Sequence, residues 1–171
     1  MTDGMNAGND KENNIFIIEL DFDKEELDII MFIFSKLLYN ECKNENIVLV
    51  LEEAHRYINE EDIGEYKLGN YYIQKIAREG RKFGIFMVLS SLIVSSQRPS
   101  ELSKSVISQC NSFIIHRLTN KSDNEFVYRI LSNHSKGYLN LLSGLEKQHA
   151  LVCGEAFGFT DIVKIETANP T

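Results

Sequence analysis

The order of residues in this chain predicts an α/β fold on a mostly parallel sheet with helices on both faces. Short aliphatic runs at Ile15–Leu20, Ile47–Leu51 and Ile85–Leu89 have the length and composition of buried strands. Segments with helical spacing separate them, and strands that alternate with helices fold as parallel crossovers. The 171 residues, 43% hydrophobic with only 2 prolines, hold enough apolar side chain for one domain with its own core, or for a large part of a bigger one. In sheets of this kind ligands sit at the carboxyl ends of the strands.

Met1–Asn14 mixes Gly, Asn, Asp and Lys without periodicity and reads as a flexible lead-in outside the fold. Ile15–Leu20 is the first strand. Asp23-Lys-Glu-Glu26 has the form of a capping box, and its helix runs to about Cys42 with Leu27, Ile30, Phe34, Leu37 and Leu38 as the core face. Lys43–Asn46 turns the chain into strand Ile47–Leu51, whose five consecutive aliphatic residues read as buried on both faces. Asn59–Asn70 is an acidic loop, Tyr71–Phe83 a helix ended by Gly84, and Ile85–Leu89 the next strand. Gln97-Arg-Pro-Ser-Glu-Leu102 turns into a helix with Ser100 as N-cap, ending near Gln109. Strand Ser112–Leu118 and short helices Asp123–Leu131 and Ser135–Leu142 follow. Strands Ala150–Cys153 and Thr160–Ile165 close the order as a hairpin across Gly154–Gly158.

The net charge of −7 argues against a generally basic surface, yet the charge is unevenly spread. Residues 1–70 hold 6 Lys and Arg against 17 Asp and Glu, a net of −11, whereas residues 71–171 hold 12 against 8, a net of +4. Nucleic acid would therefore be held by a local set of cations on phosphates. Cys42, Cys110 and Cys153 are odd in number and lack Cys-x-x-Cys spacing, which disfavours a disulfide framework or a zinc site and suits a reducing cytoplasm. The longest apolar stretch, Ile85–Val94, is broken by Ser90 and Ser91 and is too short to cross a bilayer.

The chemistry centres on the end of Ile47-Val-Leu-Val-Leu51, which leaves the sheet as Glu52-Glu53. Phosphoryl transfer needs a metal, a carboxylate that orients water, and cations that stabilise the transferred charge. Strand-end acids supply the first two functions, Glu52 on magnesium and Glu53 on the attacking water; the bland equivalent is a solvated turn after a core strand. Ala77-Arg-Glu-Gly-Arg-Lys-Phe-Gly84 packs three cations into five positions, either as a solvated helix end that favours the dipole or as phosphate-reaching Arg78 and Arg81. Gln97 and Arg98 follow the adjacent strand and read as a phosphate-sensing pair or as turn residues. His55, His116, His134 and His149 lack ligand spacing and read as structural. Tyr71, Tyr72 and Lys75 read as an aromatic pair packed on the next helix rather than a base-stacking platform.

No Gly-x-x-x-x-Gly-Lys-Ser/Thr loop occurs in these residues. The nearest approach, Gly64-Glu-Tyr-Lys-Leu-Gly69 followed by Asn70-Tyr71, lacks both the lysine that reaches the phosphates and the hydroxyl that sits on magnesium. The phosphate-gripping half of any nucleotide site is expected in polypeptide beyond this chain.

Leu51-Glu-Glu-Ala-His-Arg56, Ala77–Gly84, Ser96-Gln-Arg-Pro-Ser-Glu-Leu102, Ser108-Gln-Cys-Asn111 and His116-Arg-Leu-Thr-Asn120 with Asp123 together resemble the HerA family, in order and spacing, over roughly residues 15–166. The resemblance implies a three-layer RecA-like P-loop NTPase sheet, mostly parallel and here lacking the Walker A segment, with residues 15–171 forming the C-terminal part of the motor. It also implies ATP and Mg2+ as cofactors, a hexameric ring related to FtsK-type translocases, and double-stranded DNA moved through the pore. A nuclease or sirtuin-like effector is the implied partner, in some members in antiphage defence. Glu52 and Glu53 become the Walker B acids, Gln97 the sensor, and Arg78 or Arg81 the trans-acting finger, with Arg78 favoured. The stretch Ile85–Ser96 is longer than in the family pattern, an insertion that bears on where Gln97 sits.

Overall fold

A computed structural model of the chain describes residues 5–10, 15–56, 58, 68–91, 103–131, 133 and 136–166. They fall in two compact units, one formed by residues 1–50 and 62–88 and the other by residues 51–61 and 89–171.

In the first unit, β1 (Met5–Asp10) pairs antiparallel with β2 (Ile15–Leu20), Met5 opposite Leu20 and Asp10 opposite Ile15. Part of the stretch expected to lie outside the fold is thus a strand. Its residues carry little strand preference, and backbone pairing to an apolar neighbour places it. Helix α1 (Lys24–Glu41) starts at the expected Asp23, which is extended (φ −62°, ψ 158°) but makes no side-chain cap bond. The capping box does not form. The buried stripe of α1 is Leu27, Met31, Ser35 and Tyr39, with Leu37 exposed. That differs from the expected core face because the helix is apolar around most of its girth, so spacing alone does not select one side. Ser35 Oγ donates to the Met31 carbonyl, which satisfies its buried hydroxyl within the helix.

Helix α2 (Leu68–Glu79) packs on α1. Tyr72 lies 5.5 Å from Phe32 and 6.0 Å from Tyr39, ring centre to centre, and Tyr39 donates to Glu79 Oε2 at 3.0 Å. Of the expected aromatic pair, Tyr72 packs on α1, the preceding rather than the next helix, and Tyr71 is 53% exposed. The helix tightens into a 3-10 turn over Gly80–Phe83 and ends at Gly84, left-handed at φ 74°. Gly80 is required by space: a Cβ there would sit 2.7 Å from the Ile85 carbonyl oxygen.

Strand β3 (Ile47–Leu51) pairs with β4 (Ile85–Leu89). Ile47 N donates to Gly84 O at 2.8 Å and Ser90 N to Leu51 O at 2.9 Å, so starts and ends coincide and the strands run parallel. Leu49, Leu51 and Ile85 are buried while Val48, Val50, Phe86 and Val88 are about half exposed. Burial of β3 on both faces is not what the structure has: successive side chains alternate between a covered and an open face.

In the second unit, Ser103 takes the N-cap position of α3 (Lys104–Ile107); the expected cap Ser100 lies outside the described residues. β5 (Ser112–Ile115) is shorter than expected, and the His116–Asn120 motif follows it without regular structure. After α4 (Lys121–Ile130) and α5 (Leu139–Leu142), β6 (His149–Gly154) pairs antiparallel with both β5 and β7 (Asp161–Lys164). The β6–β7 hairpin is as expected. The mostly parallel sheet is not: among the described residues β3–β4 is the parallel pair, and β1–β2, β5–β6 and β6–β7 are antiparallel. The β6–β7 link is far too short for a crossover. Ile107, Ile115, Phe126, Val127, Leu142 and Leu151 form the core of this unit, and β6 is buried from Ala150 to Cys153.

Candidate functional site

Because β3 and β4 are parallel, both deliver their carboxyl ends to one rim. Two bonds fix the chain there: Ser90 N donates to Leu51 O, and Ser90 O accepts from Ala54 N, each at 2.9 Å. Glu52 and Glu53 occupy the turn between these anchors. Glu53 is left-handed at φ 49°, a conformation that disfavours a side-chain-bearing residue and is held here by the flanking bonds. Its carbonyl accepts from Arg56 N at 2.8 Å, which starts the 3-10 turn Ala54–Arg56.

Glu52 is exposed and Glu53 half-buried. Glu53 Oε2 lies 3.3 Å from His55 Nδ1, and that nitrogen also makes a 3.2 Å hydrogen bond with Ser91 Oγ just beyond β4. His55, expected to be structural, thus tethers one of the two acids to the neighbouring strand's end. The left-handed turn at Glu53 brings residues two apart together, and nothing in residue spacing signals such a contact. The paired Ser90-Ser91 after an apolar strand was the available clue.

An exposed carboxylate at a strand end suits magnesium, which keeps most of its waters and takes one or two carboxylates plus phosphate oxygens rather than a cage of protein ligands. The donor chemistry of Glu52 fits that ion. Arg78 ends α2 and Arg81 lies in the following 3-10 turn; both are exposed and both belong to the first unit. Gln97 and Arg98 lie outside the described residues.

In the second unit Asp123 is buried in the first turn of α4, with Oδ1 making no hydrogen bond to the described residues, and burial pushes its carboxyl above the usual range. A cavity of about 360 Å3 whose lining includes Lys104, Ile107, Phe113, Phe126 and Arg129 lies in the same unit. None of the described helices is long and apolar enough to cross a membrane.

Solved structures share this fold. The DNA-packaging ATPase from Sulfolobus Turreted Icosahedral Virus superposes with a TM-score of 0.61 at 18% identity, covering 86% of this chain and 65% of its own. The genome packaging NTPase of Sulfolobus turreted icosahedral virus 2 in complex with AMPPCP does so at 0.61 and 15%, covering 88% and 66%. At these identities the likeness shows a shared fold. Sequence relatives narrow the class. The DNA double-strand break repair helicase HerA of Pyrococcus furiosus is 36% identical over 119 residues, 70% of this chain and 20% of the relative. The HerA helicase of Saccharolobus solfataricus is 32% identical over 120 residues, with similar coverage. A probable helicase of Methanocaldococcus jannaschii is 30% identical over 167 residues, 91% of this chain and 31% of its own length. No family model matches. The chain belongs to the HerA family, and it spans about a fifth to a third of the length of these relatives.

Proposed function

We propose that this chain is the C-terminal part of an ATP-dependent, double-stranded DNA translocase or helicase motor. The supporting observation is the Glu52-Glu53 turn, pinned at the carboxyl rim of a parallel strand pair in a chain of the HerA family. Glu53 orients and polarises the water that attacks the terminal phosphate of ATP. Glu52 would hold Mg2+, which when bound would supply positive charge against the phosphate oxygens. Arg78, with Arg81 as the other choice, reaches the nucleotide of an adjacent subunit in a hexameric ring and stabilises charge on the transferred group. Gln97 senses that group, and Arg98 and Arg81 add phosphate contacts. The phosphate loop comes from polypeptide outside this chain.

Two proteins test this reading: the chain alone, and the chain completed by the polypeptide that carries the phosphate loop. The chain alone is expected to show negligible ATP turnover, and the completed protein to hydrolyse ATP faster when double-stranded DNA is present. Turnover by the isolated chain, or none by the completed protein, would overturn it.

A second reading, a non-catalytic module that docks a nuclease or other effector, draws on a separate observation. Ile29, Ile33 and Leu37, one turn apart along α1, are 59%, 51% and 55% exposed. Sedimentation with a candidate nuclease discriminates: a complex that needs no nucleotide and survives Glu53→Gln favours this second role.

A further inference from the structure

Helix α2 carries an aromatic ring and a guanidinium on one stripe. Tyr71 and Arg78 are seven residues apart, which returns a helix to within about 20° of the same direction. Both are exposed, Tyr71 at 53%. Ile73 and Ile76, on the opposite side of the helix, are buried. Along the axis the two Cα atoms are about 10 Å apart, with the half-buried Gln74 between them. Their neighbours turn toward α1: Lys75 Nζ sits 4.6 Å from the centre of the Tyr39 ring, and Glu79 accepts from the Tyr39 hydroxyl. The carboxylate next to Arg78 in the chain is thereby drawn inward. Tyr71 is also braced. Its ring stands edge-on to Tyr72, 5.1 Å between centres and 85° between planes, and Tyr72 is itself seated against Phe32 and Tyr39. A single exposed tyrosine is ordinary on a surface. One backed by a second ring, and in register with an arginine two turns on, offers two fixed points of contact on the same side.

We infer that Tyr71 binds the base of the nucleotide that Arg78 reaches, stacking on the adenine of ATP held by the adjacent subunit while Arg78 contacts the terminal phosphate. The inference rests on the role proposed above for Arg78. Two turns of helix, about 10 Å, match the length of an extended nucleoside triphosphate between its terminal phosphate and its base. The phenol ring offers an apolar face for the base and a hydroxyl that stays in water, which suits a site that opens when the subunits part. A tyrosine face takes any base, and purines most strongly because their ring area is larger. The contact therefore sets a preference for purine over pyrimidine triphosphates and leaves the choice between adenine and guanine to other groups. The base takes no part in phosphoryl transfer, so stacking holds substrate and transition state alike. Tyr71 acts on affinity, whereas Arg78 acts on the rate of the chemical step.

The test uses the completed protein, with steady-state rates for ATP and CTP beside equilibrium binding of each. Tyr71→Ala should raise KM and Kd for ATP about tenfold, with most of the effect in KM rather than kcat, and should narrow the preference for ATP over CTP. Tyr71→Phe, which keeps the ring, should restore both. Arg78→Ala should show the reverse pattern, kcat lowered by about 100-fold or more with Kd nearly unchanged. The chain contains no tryptophan, so Tyr71→Trp supplies a direct signal. Its fluorescence, taken as the difference from the parent protein, should be quenched when ATP is added to the completed protein and unmoved by ATP in the chain alone. An unchanged KM with an unquenched tryptophan would overturn the inference. A loss in Tyr71→Ala that Tyr71→Phe does not restore would overturn it too, since the ring would then not be what the nucleotide meets. Turnover that depends on Arg78 and ignores Tyr71 would remove the stacking and leave the motor reading standing. A completed protein that binds ATP with quenching and hydrolyses none would uphold the stacking and remove the motor reading.

Discussion

Removing the imidazole from His55 tests how much of the site depends on its tether. The contact between His55 Nδ1 and Glu53 Oε2 is 3.3 Å, but the side chains remain 36% and 42% exposed. A contact so open to water contributes at most about 1 kcal/mol, which converts to a rate effect of no more than about fivefold. The second link, from the same nitrogen to Ser91 Oγ, is a single hydrogen bond of similar size. His55→Ala in the completed protein should therefore lower kcat for ATP hydrolysis by about two- to tenfold, with nucleotide affinity unchanged. Ser91→Ala should produce a smaller loss of the same kind. Steady-state ATPase assays beside equilibrium binding of a fluorescent ATP analogue read both quantities. A loss of 100-fold or more would contradict the reasoning, since no exposed contact of this type carries about 3 kcal/mol; His55 would then touch the reacting groups itself.

Gly80→Ala should destabilise the first unit by about 1–3 kcal/mol in chemical denaturation, because its Cβ would meet the Ile85 carbonyl at 2.7 Å and backbone would have to move. Leu151→Ala, in the centre of β6 and fully buried, should cost about 2–5 kcal/mol by the same measurement. Asp123→Asn should raise the melting temperature at neutral pH. Burial raises the folded-state pKa of this carboxyl, so the folded protein binds the proton more tightly than the unfolded chain does. The native residue therefore opposes folding above that raised pKa and stops doing so as pH falls below the ordinary carboxylate value. The advantage of the variant should shrink on acidification, and an advantage that grows would contradict the assignment.

How much of this was legible in the residues depends on which interaction decides each element. β2, β3 and β4 were readable to the residue because each is a short aliphatic run between polar turns, and Gly84 ended the 3-10 turn after α2 as only a residue at ease in a left-handed cap would. The inner face of α1 was not, since Ser35 is buried and Leu37 is exposed on a helix with apolar residues on most sides. β1 was missed because its pairing is a backbone affair with no apolar signature. Strand direction at β5 and β6 depends on contacts between distant residues, which alternation of helix and strand does not encode. At the site, the two acids stood out as charges against an aliphatic run. The His55 contact depends on a left-handed Glu53, which no local preference announces. Gln97 and Arg98 fall outside the described residues.

The most direct measurement is ATP turnover and ATP affinity side by side for Glu53→Gln in the completed protein. The carboxamide keeps the shape of the side chain and removes the charge that polarises water. Turnover should fall by about 100-fold or more while affinity for ATP holds. Turnover that survives the substitution would show that the acids at the end of β3 do not act on the attacking water.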